Sequence, residues 1–193
     1  MSFFNDNRKV GLALIIVGLI SVIFPIVDIC TNYSNSVLVI SIGRIIFGLI
    51  ILGFGFKVRM GSNDKVAILS GLVYAIASAT ILAAIFVAAG DYINSNSIGS
   101  AILTAIVQII VALVLFWVAE KIGGANKNTI SEIVWILLVI VLFIEAILTI
   151  ISAISNISDI QLIPALSSIC MIFVYVYALF ASLSSEVRTS MGI

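Results

Sequence analysis

Long apolar runs alternate with short polar breaks along the whole chain. A helix needs roughly 20 apolar residues to cross about 30 Å of hydrocarbon, and six stretches reach that length. They cover residues 10–29, 37–56, 66–89, 98–119, 130–155 and 162–184. Backbone groups inside a bilayer must find their hydrogen bonds within the segment, so each run is interpreted as a helix. The pattern predicts an all-α membrane protein, with one six-helix transmembrane domain over residues 1–193.

The composition agrees with this pattern and excludes a protein that is soluble by itself. Hydrophobic residues make up 63% of the chain and charged residues 9%, whereas soluble domains carry about a quarter charged residues. We therefore expect the lipid bilayer to be the main partner of the chain, and we expect no nucleic acid. A homo-oligomer or a membrane-protein partner is left open.

The residues that usually carry enzyme chemistry are scarce. The chain has no histidine, which is the commonest general base and a frequent metal ligand. Its two cysteines, Cys30 and Cys170, are too few for a disulfide framework. The sequence contains no phosphate-binding glycine loop, no Cys/His cluster and no nucleophile–histidine pair. We therefore expect no enzyme activity, no catalytic residues, no metal and no cofactor.

The basic residues concentrate in alternate breaks. They precede the first run, follow the second and fourth runs and occur in the tail: Arg8, Lys9, Lys57, Arg59, Lys65, Lys121, Lys127 and Arg188. The other three breaks carry no Lys or Arg, and each has an aspartate in or beside it: Asp28, Asp91 and Asp159. Cytoplasmic loops are enriched in Lys and Arg, so both termini are predicted inside, in the cytoplasmic membrane of a prokaryotic cell. The aspartates suggest three tandem helical hairpins, although chance spacing accounts for them equally well.

The glycine spacing of the first hairpin is similar to that of a known family. The segments that carry the similarity are GLALIIVGLISVIFP at residues 11–25, GRIIFGLIILG at 43–53 and LSG at 69–71. Over residues 10–75 they resemble the HdeD-like membrane proteins. The resemblance implies a chain of short membrane hairpin repeats in a family of unknown function, some members of which are linked to acid resistance. It implies no catalytic residues.

Small side chains recur on one face of the third run. The face consists of Ala67, Gly71, Ala75, Ala79 and Ala83. Positions four apart share a helix face, and small side chains let a neighbouring backbone approach closely. We expect this face to pack against another helix of the same chain, with a dimer interface as the alternative. The glycines at 43, 48 and 53 of the second run lie five apart, which drifts around the helix and is weaker evidence of packing.

Two charged residues lie inside the predicted spans. At a rise of 1.5 Å per residue, Arg44 lies roughly 10 Å from the aspartate-bearing side and Glu145 about 15 Å from the same side. A lone charge at such depth costs at least about 2.5 kcal/mol, and an opposite charge nearby lowers that cost. The sequence therefore predicts a buried ion pair between Arg44 and Glu145 that joins the first and last hairpins. In the alternative, Arg44 extends to the headgroups and Glu145 is protonated.

Uncharged polar residues accompany these two charges in the same half of the membrane. They form stripes on three runs: Ser41 on the second, Ser97, Ser100, Thr104 and Gln108 on the fourth, and Thr149, Ser152 and Asn156 on the fifth. Stripes at a common depth suggest a polar crevice that opens to the outer side and admits a small solute, an ion or protons. The alternative is that these side chains only make interhelical hydrogen bonds, worth about 0.6 kcal/mol each.

These features allow three functions. The first is a non-catalytic multipass protein of HdeD-like type with a stress-tolerance, structural or partner-binding role. The second is a small-solute, ion or proton transporter, or a substrate-binding membrane subunit, that uses the crevice around Arg44 and Glu145. The third is an accessory subunit of a larger membrane complex. The first is the leading interpretation, because small-residue faces and short loops suit assembly within the bilayer.

Overall fold

The chain is all-helical in its computed structural model, which describes residues 6–61, 65–95, 98–123, 129–158 and 162–193. Six long helices follow one another along the described residues: α1 (Asn7–Thr31), α2 (Asn35–Met60), α3 (Lys65–Ser95), α4 (Ile98–Gly123), α5 (Thr129–Ser158) and α6 (Leu162–Ser182). A short helix, α7 (Ser185–Met191), comes after them. Each of the six is long and apolar enough to cross a membrane. The predicted all-α multipass membrane protein is therefore confirmed.

Most of the helices reach beyond the apolar runs because helix ends are polar. Asp6 caps α1, where its carboxylate accepts the backbone N–H of Arg8 at 3.0 Å. Ser34 caps α2 and Ser184 caps α7 through their hydroxyl groups. Such side chains satisfy N–H groups that have no partner inside the helix. The sixth span ends at Ser182 instead of residue 184, because Ser184 caps the next helix.

Consecutive helices pack as antiparallel hairpins, α1 with α2, α3 with α4 and α5 with α6, and α2 also packs against α3. The α5–α6 hairpin joins the others through α6, which contacts α1 and α3, and through a smaller α4–α5 contact. We call the end where α2 is followed by α3, and α4 by α5, the basic end. The opposite end, where α1 is followed by α2, α3 by α4 and α5 by α6, is the acidic end.

The backbones of α1 and α2 approach closely because glycines lie on both facing surfaces. Four glycines, seven residues apart on each helix, leave no room for a side chain: Gly11, Gly18, Gly48 and Gly55. A Cβ on Gly18 would lie 2.6 Å from the backbone nitrogen of Leu52, and one on Gly55 would lie 2.7 Å from that of Ile15. A spacing of seven keeps the glycines on one helix face, so the two backbones pack directly against each other.

The glycines of α2 do not form one series with a spacing of five. Gly48 faces α1, whereas a Cβ on Gly43 would lie 2.6 Å from the Phe86 side chain of α3. No neighbouring atom lies within 4 Å of the Cβ position of Gly53. Gly55 does not belong to the series at 43, 48 and 53, but it completes the contact with α1. The heptad spacing is therefore the one that describes the interface.

The small-residue face of α3 lies inside the bundle along most of its length. Ala75 and Ala79 are buried, and a Cβ on Gly71 would lie 2.7 Å from the Phe54 ring of α2. Ala67 is exposed near the beginning of the helix. Between Gly71 and Ala79, the face is thus buried within the chain.

The large, fully buried side chains lie in the half of the bundle next to the basic end. The largest among the described residues are Val10, Leu14, Ile51, Leu69, Leu72, Val73, Ile76, Leu115, Val118, Val134, Leu138 and Leu142. Each precedes the midpoint of an odd-numbered helix or follows the midpoint of an even-numbered one. This half, the basic half, is closed by interlocking aliphatic side chains; the other half is called the acidic half.

The short helix α7 packs against other helices at the basic end. Its Glu186 forms an ion pair with Lys65 at the start of α3, with Oε2 and Nζ 2.7 Å apart. Arg188 lies over the Trp135 ring of α5, 5.3 Å from the ring centroid. The Trp135 Nε1–H in turn donates to the carbonyl oxygen of Ser182 at 2.8 Å. These contacts connect α3, α5, α6 and α7 at one end of the protein.

Candidate functional site

A cavity of about 400 Å³ lies in the acidic half of the bundle. α2 and α3 form one wall, α5 and α6 form the other, and Ser21 of α1 completes the lining. Small-molecule sites in proteins have volumes of about 300–1,000 Å³. The cavity is therefore the candidate functional site.

Hydroxyl and amide side chains line the α5–α6 wall. Thr149, Ser152 and Asn156 lie on one face of α5, at intervals of three and four residues. Ser167 and Ser168 join them from α6. The Asn156 amide donates a hydrogen bond to the Ser168 hydroxyl at 3.4 Å. The α5 stripe of the sequence thus forms part of a polar wall that α6 completes.

Hydrogen-bonding capacity is left over on this wall. Ser168 donates to the carbonyl oxygen of Pro164 at 3.1 Å, and Thr149 donates to that of Glu145 at 2.7 Å. The Ser167 hydroxyl is buried and has no hydrogen-bond partner among the described residues. A buried polar group without a partner costs roughly 1–3 kcal/mol. The Ser167 hydroxyl would have to rotate towards the cavity before a polar ligand or water there could recover that cost.

The α2–α3 wall is apolar apart from Arg44 and Thr80. Its apolar side chains are Ile40, Phe47, Ala79, Ala83, Phe86 and Val87. Ala79 and Ala83 belong to the small-residue face of α3, and their side chains end at Cβ. They therefore leave open the space that larger residues of α3 fill in the basic half.

Arg44 is the charged residue on the lining of the cavity, and its ion-pair partner is not the predicted one. Its Nη1 lies 3.8 Å from Oδ2 of Asp28 in α1. The predicted partner was Glu145, on a different hairpin. Arg44 therefore pairs within the α1–α2 hairpin, and this contact does not join the first hairpin to the last.

The register of α1 against α2 explains the pairing with Asp28. The numbers of facing residues add up to 70 where Gly18 faces Leu52 and where Gly55 faces Ile15. The same register places Arg44 opposite residue 26, within one helical turn of Asp28. Proximity within the hairpin thus decides the partner, whereas α5 packs mainly against α6.

Glu145 lies next to the cavity but not on its lining. It is half-buried on α5 and close to Tyr175 of α6. The Tyr175 side chain also interacts with Thr80 of α3, and both residues line the cavity. Thr149, one turn after Glu145 on α5, lines it as well. The Glu145 carboxylate is therefore a neighbour of the lining and not part of it.

Among the described side chains, α4 contributes none to the lining of the cavity. α4 packs against α3, and the Oε1 atom of Gln108 is buried there without a hydrogen-bond partner in the described structure. Ser97 lies outside the described residues, as do the side chains of Ser100 and Thr104. Ser41 on α2 is fully buried and is not on the lining either. The described side chains thus place the cavity between α2, α3, α5 and α6, and Ser41 and Gln108 of the predicted crevice do not line it. The other α4 residues of that crevice stay a prediction.

The predicted stripes leave out the sixth span, which supplies several residues of the site. Ser167, Ser168 and Tyr175 line the cavity from α6. The signal that could have found the first two is the pair of adjacent serines within an apolar run, one turn after Pro164. A tyrosine among aliphatic residues carries no comparable signal.

Comparisons with known proteins assign no family to the chain. No family model, no curated protein and no solved structure matches the chain. The resemblance to HdeD-like proteins stays a prediction. Six apolar helices make the chain a multipass membrane protein, and a partly polar cavity lies between four of them.

Proposed function

We propose that the protein takes a small solute into the cavity of its acidic half, as a transporter or as a substrate-binding membrane subunit. The observation that carries this proposal is about 400 Å³ of space among membrane-spanning helices, lined by Arg44 and by uncharged polar side chains. Polar residues at membrane depth generally face a bundle interior or a water-filled cavity and mark solute pathways. The cavity lies between membrane-spanning helices and carries such residues on its lining.

The difference between the two halves of the bundle supports a binding role. A bundle that only anchors or assembles would be expected to close both halves with packed side chains. Here the basic half is closed, whereas hydroxyl and amide groups of α5 and α6 face a cavity. The interhelical hydrogen bond from Asn156 to Ser168 stays within one hairpin. Hydrogen bonding between helices therefore accounts for few of these polar side chains.

Arg44 supports the same role. An arginine at the centre of a membrane helix costs about 2.5–3.5 kcal/mol on insertion scales. Its contact with Asp28 at 3.8 Å is longer than the 2.7–2.9 Å of a strong charged hydrogen bond, so it offsets this cost incompletely. A residue that is costly to retain, and that lines a cavity, is well explained by a ligand.

The charge pattern supports an orientation for the cavity. Cytoplasmic loops are enriched in Lys and Arg, which would place the basic end and both termini inside the cell. The cavity would then open towards the outside, and the packed basic half would separate it from the cytoplasm. This orientation is part of the proposal.

A structural or accessory role is the alternative, in line with the HdeD-like resemblance. Its support is the glycine contact between α1 and α2, since the segments that carry the resemblance include three of the four glycines of that contact. The same contact is compatible with a transporter, because it holds a rigid hairpin beside the cavity. The cavity therefore supports the transporter or substrate-binding role over the structural one.

Accessibility of a cysteine placed in the cavity tests the proposal. Cys30 is first replaced by Ser and Cys170 by Ala, and Ser152→Cys is then introduced. The variant is reconstituted into vesicles in which its orientation is known. We expect a membrane-impermeant methanethiosulfonate reagent to modify this cysteine from the side of the acidic end, at least about tenfold faster than a buried thiol, because thiol reactivity follows exposure.

The matched control is Ala77→Cys, whose side chain position is fully buried in the packed core. It should resist the reagent in the native protein and react after unfolding. Equal resistance at positions 152 and 77 would show that the cavity is closed to solutes, and the structural role would then be preferred.

A further inference from the structure

We infer that the cavity selects a small organic anion, an oxyanion such as a carboxylate carried on an apolar body, which Arg44 binds in place of Asp28. This inference rests on the proposed function and adds the class of its solute. It follows from the free hydrogen-bonding capacity of Arg44, from the charge of the lining and from the division of the cavity into a polar and an apolar wall.

The guanidinium of Arg44 has capacity for a second partner. It carries five N–H donors in a planar fork that matches a carboxylate. Among the described residues, its side chain has one polar contact, the single Nη1–Oδ2 distance of 3.8 Å to Asp28. A bidentate pair with an oxyanion would have two contacts of about 2.7–2.9 Å. The present geometry therefore leaves most of the donors available on the lining of the cavity.

Asp28 can release Arg44 because it has another partner. Its Oδ1 accepts a hydrogen bond from the Asn32 amide at 3.0 Å. Asp28 also lies in the last turns of α1, at the acidic end of the bundle, where a carboxylate is close to the membrane surface. An entering oxyanion would thus replace Asp28 as the partner of the Arg44 guanidinium, and Asp28 would keep its hydrogen bond from Asn32.

The charge of the lining favours an anion over a cation or a zwitterion. Arg44 is the charged side chain among the described residues of the lining, and neither Asp28 nor Glu145 belongs to it. A cation would meet the Arg44 guanidinium, because its partner Asp28 lies off the lining, 3.8 Å away. A zwitterion would need a carboxylate for its ammonium group, and the described lining carries none.

The two walls indicate the shape of the ligand. Arg44 and the polar side chains of the α5–α6 wall would bind the oxygens. Ile40, Phe47 and Phe86 offer an apolar surface for the rest of the molecule. A volume of about 400 Å³ admits a molecule of the size of an aromatic or short-chain carboxylate. The headgroup of an anionic lipid shares this oxyanion chemistry and is the second source to be distinguished.

Charge-selective modification of Ser152→Cys, without other thiols, tests the inference. Two methanethiosulfonate reagents are compared, one with a sulfonate and one with a trimethylammonium group. With each rate divided by the rate of the same reagent with a free thiol, we expect the anionic reagent to react at least about tenfold faster than the cationic one. The Arg44 guanidinium lies at close range, and Asp28, which is off the lining, offsets only part of its charge. Arg44→Gln should abolish the preference, Arg44→Lys should retain most of it, and Asp28→Asn should increase it.

The outcomes separate this inference from the proposed function. If neither reagent reacts, the proposed function fails. If both react and the ratio is the same with Arg44 and with Arg44→Gln, the cavity admits solutes but the anion inference is overturned. If Arg44→Gln does not fold, the same question is decided with Asp28→Asn, since an unchanged ratio in that variant would also overturn the inference.

Protection from modification identifies the source of the oxyanion. In phosphatidylcholine vesicles, we expect benzoate to slow the reaction of Ser152→Cys and the uncharged isostere benzamide to leave it unchanged. Equal protection by the two compounds would overturn the role of the charge. Protection by phosphatidylglycerol in the bilayer, with none by benzoate, would support the oxyanion site and overturn its assignment to a free solute.

Discussion

The basic and acidic halves of the bundle are built from the same helices but pack differently. In the basic half, α3 presents Leu69, Leu72 and Ile76, which are fully buried. In the acidic half, the same helix presents Ala79 and Ala83 to a cavity. A change in residue size along one helix therefore decides where the bundle is closed and where it can admit a solute.

α5 shows a corresponding change in polarity. Leu138 and Leu142 are fully buried in the basic half, and Thr149, Ser152 and Asn156 line the cavity further along. Helices in a bilayer associate through close packing and polar contacts, because lipid is as apolar as leucine. Where α5 borders the cavity, polar side chains that face water or a ligand are therefore favourable.

The largest expected effect is the loss of a packed leucine. Leu72→Ala should destabilise the protein by about 2–5 kcal/mol, as in other close-packed cores, because Leu72 is fully buried. The same truncation at Leu82, half-buried in the acidic half of α3, should cost less than half as much. Unfolding of the purified protein from mild detergent into dodecyl sulfate measures both losses. Equal losses would contradict the division into a closed and an open half.

A smaller effect is expected at the glycine contact of α1 and α2. Gly55→Ala should cost about 1–3 kcal/mol, because its Cβ would lie 2.7 Å from a backbone atom of α1. Gly53→Ala is the matched control on the same helix, since no neighbouring atom lies within 4 Å of its Cβ position. It should be neutral or slightly stabilising, because alanine favours helix more than glycine does. Thermal unfolding in detergent compares them, and an unaffected Gly55→Ala variant would speak against the tight contact.

Filling the cavity should make the acidic half resemble the basic one. Ala83→Leu places a larger side chain on the lining and should slow the modification of Ser152→Cys by about tenfold, since access limits the reaction. Stability should change by less than about 1 kcal/mol, because the added side chain enters existing space. Ala67→Leu, at an exposed position on the same helix, is the control and should leave the modification rate unchanged. An undiminished rate in Ala83→Leu would mean that position 83 does not control access.

The smallest effect is expected at the surface of the basic end. Glu186→Gln removes the ion pair with Lys65 and should cost about 0–1 kcal/mol, because both side chains are partly exposed. Salt should reduce the effect further. Glu132→Gln, at an exposed position near the start of α5, is the comparison. A loss as large as that of Leu72→Ala would show that the α7 contact stabilises the basic half as much as a core leucine does.

Part of the site was predictable from the spacing of residues along single helices. Thr149, Ser152 and Asn156 share a face because of the helical period, and the structure brings all three to the cavity. The stripe on α4 shows the limit of this reasoning. Gln108 lies at a comparable depth, yet α4 packs against α3 and Gln108 is not on the lining. Depth follows from the sequence, whereas the direction in which a helix face points depends on its neighbours.

The sequence by itself determined the six spans, their polar ends and the residues that share each helix face, because hydrophobicity and helical period are local properties. Only the tertiary structure decided which faces meet. The sequence offered more than one acid for Arg44 in the same half of the membrane, and the structure pairs it with Asp28 instead of Glu145. The glycine contact places α1 beside α2, and with that register Asp28 is within reach. The cavity was decided in the same way, because a space exists only where the side chains of several helices together fail to fill it.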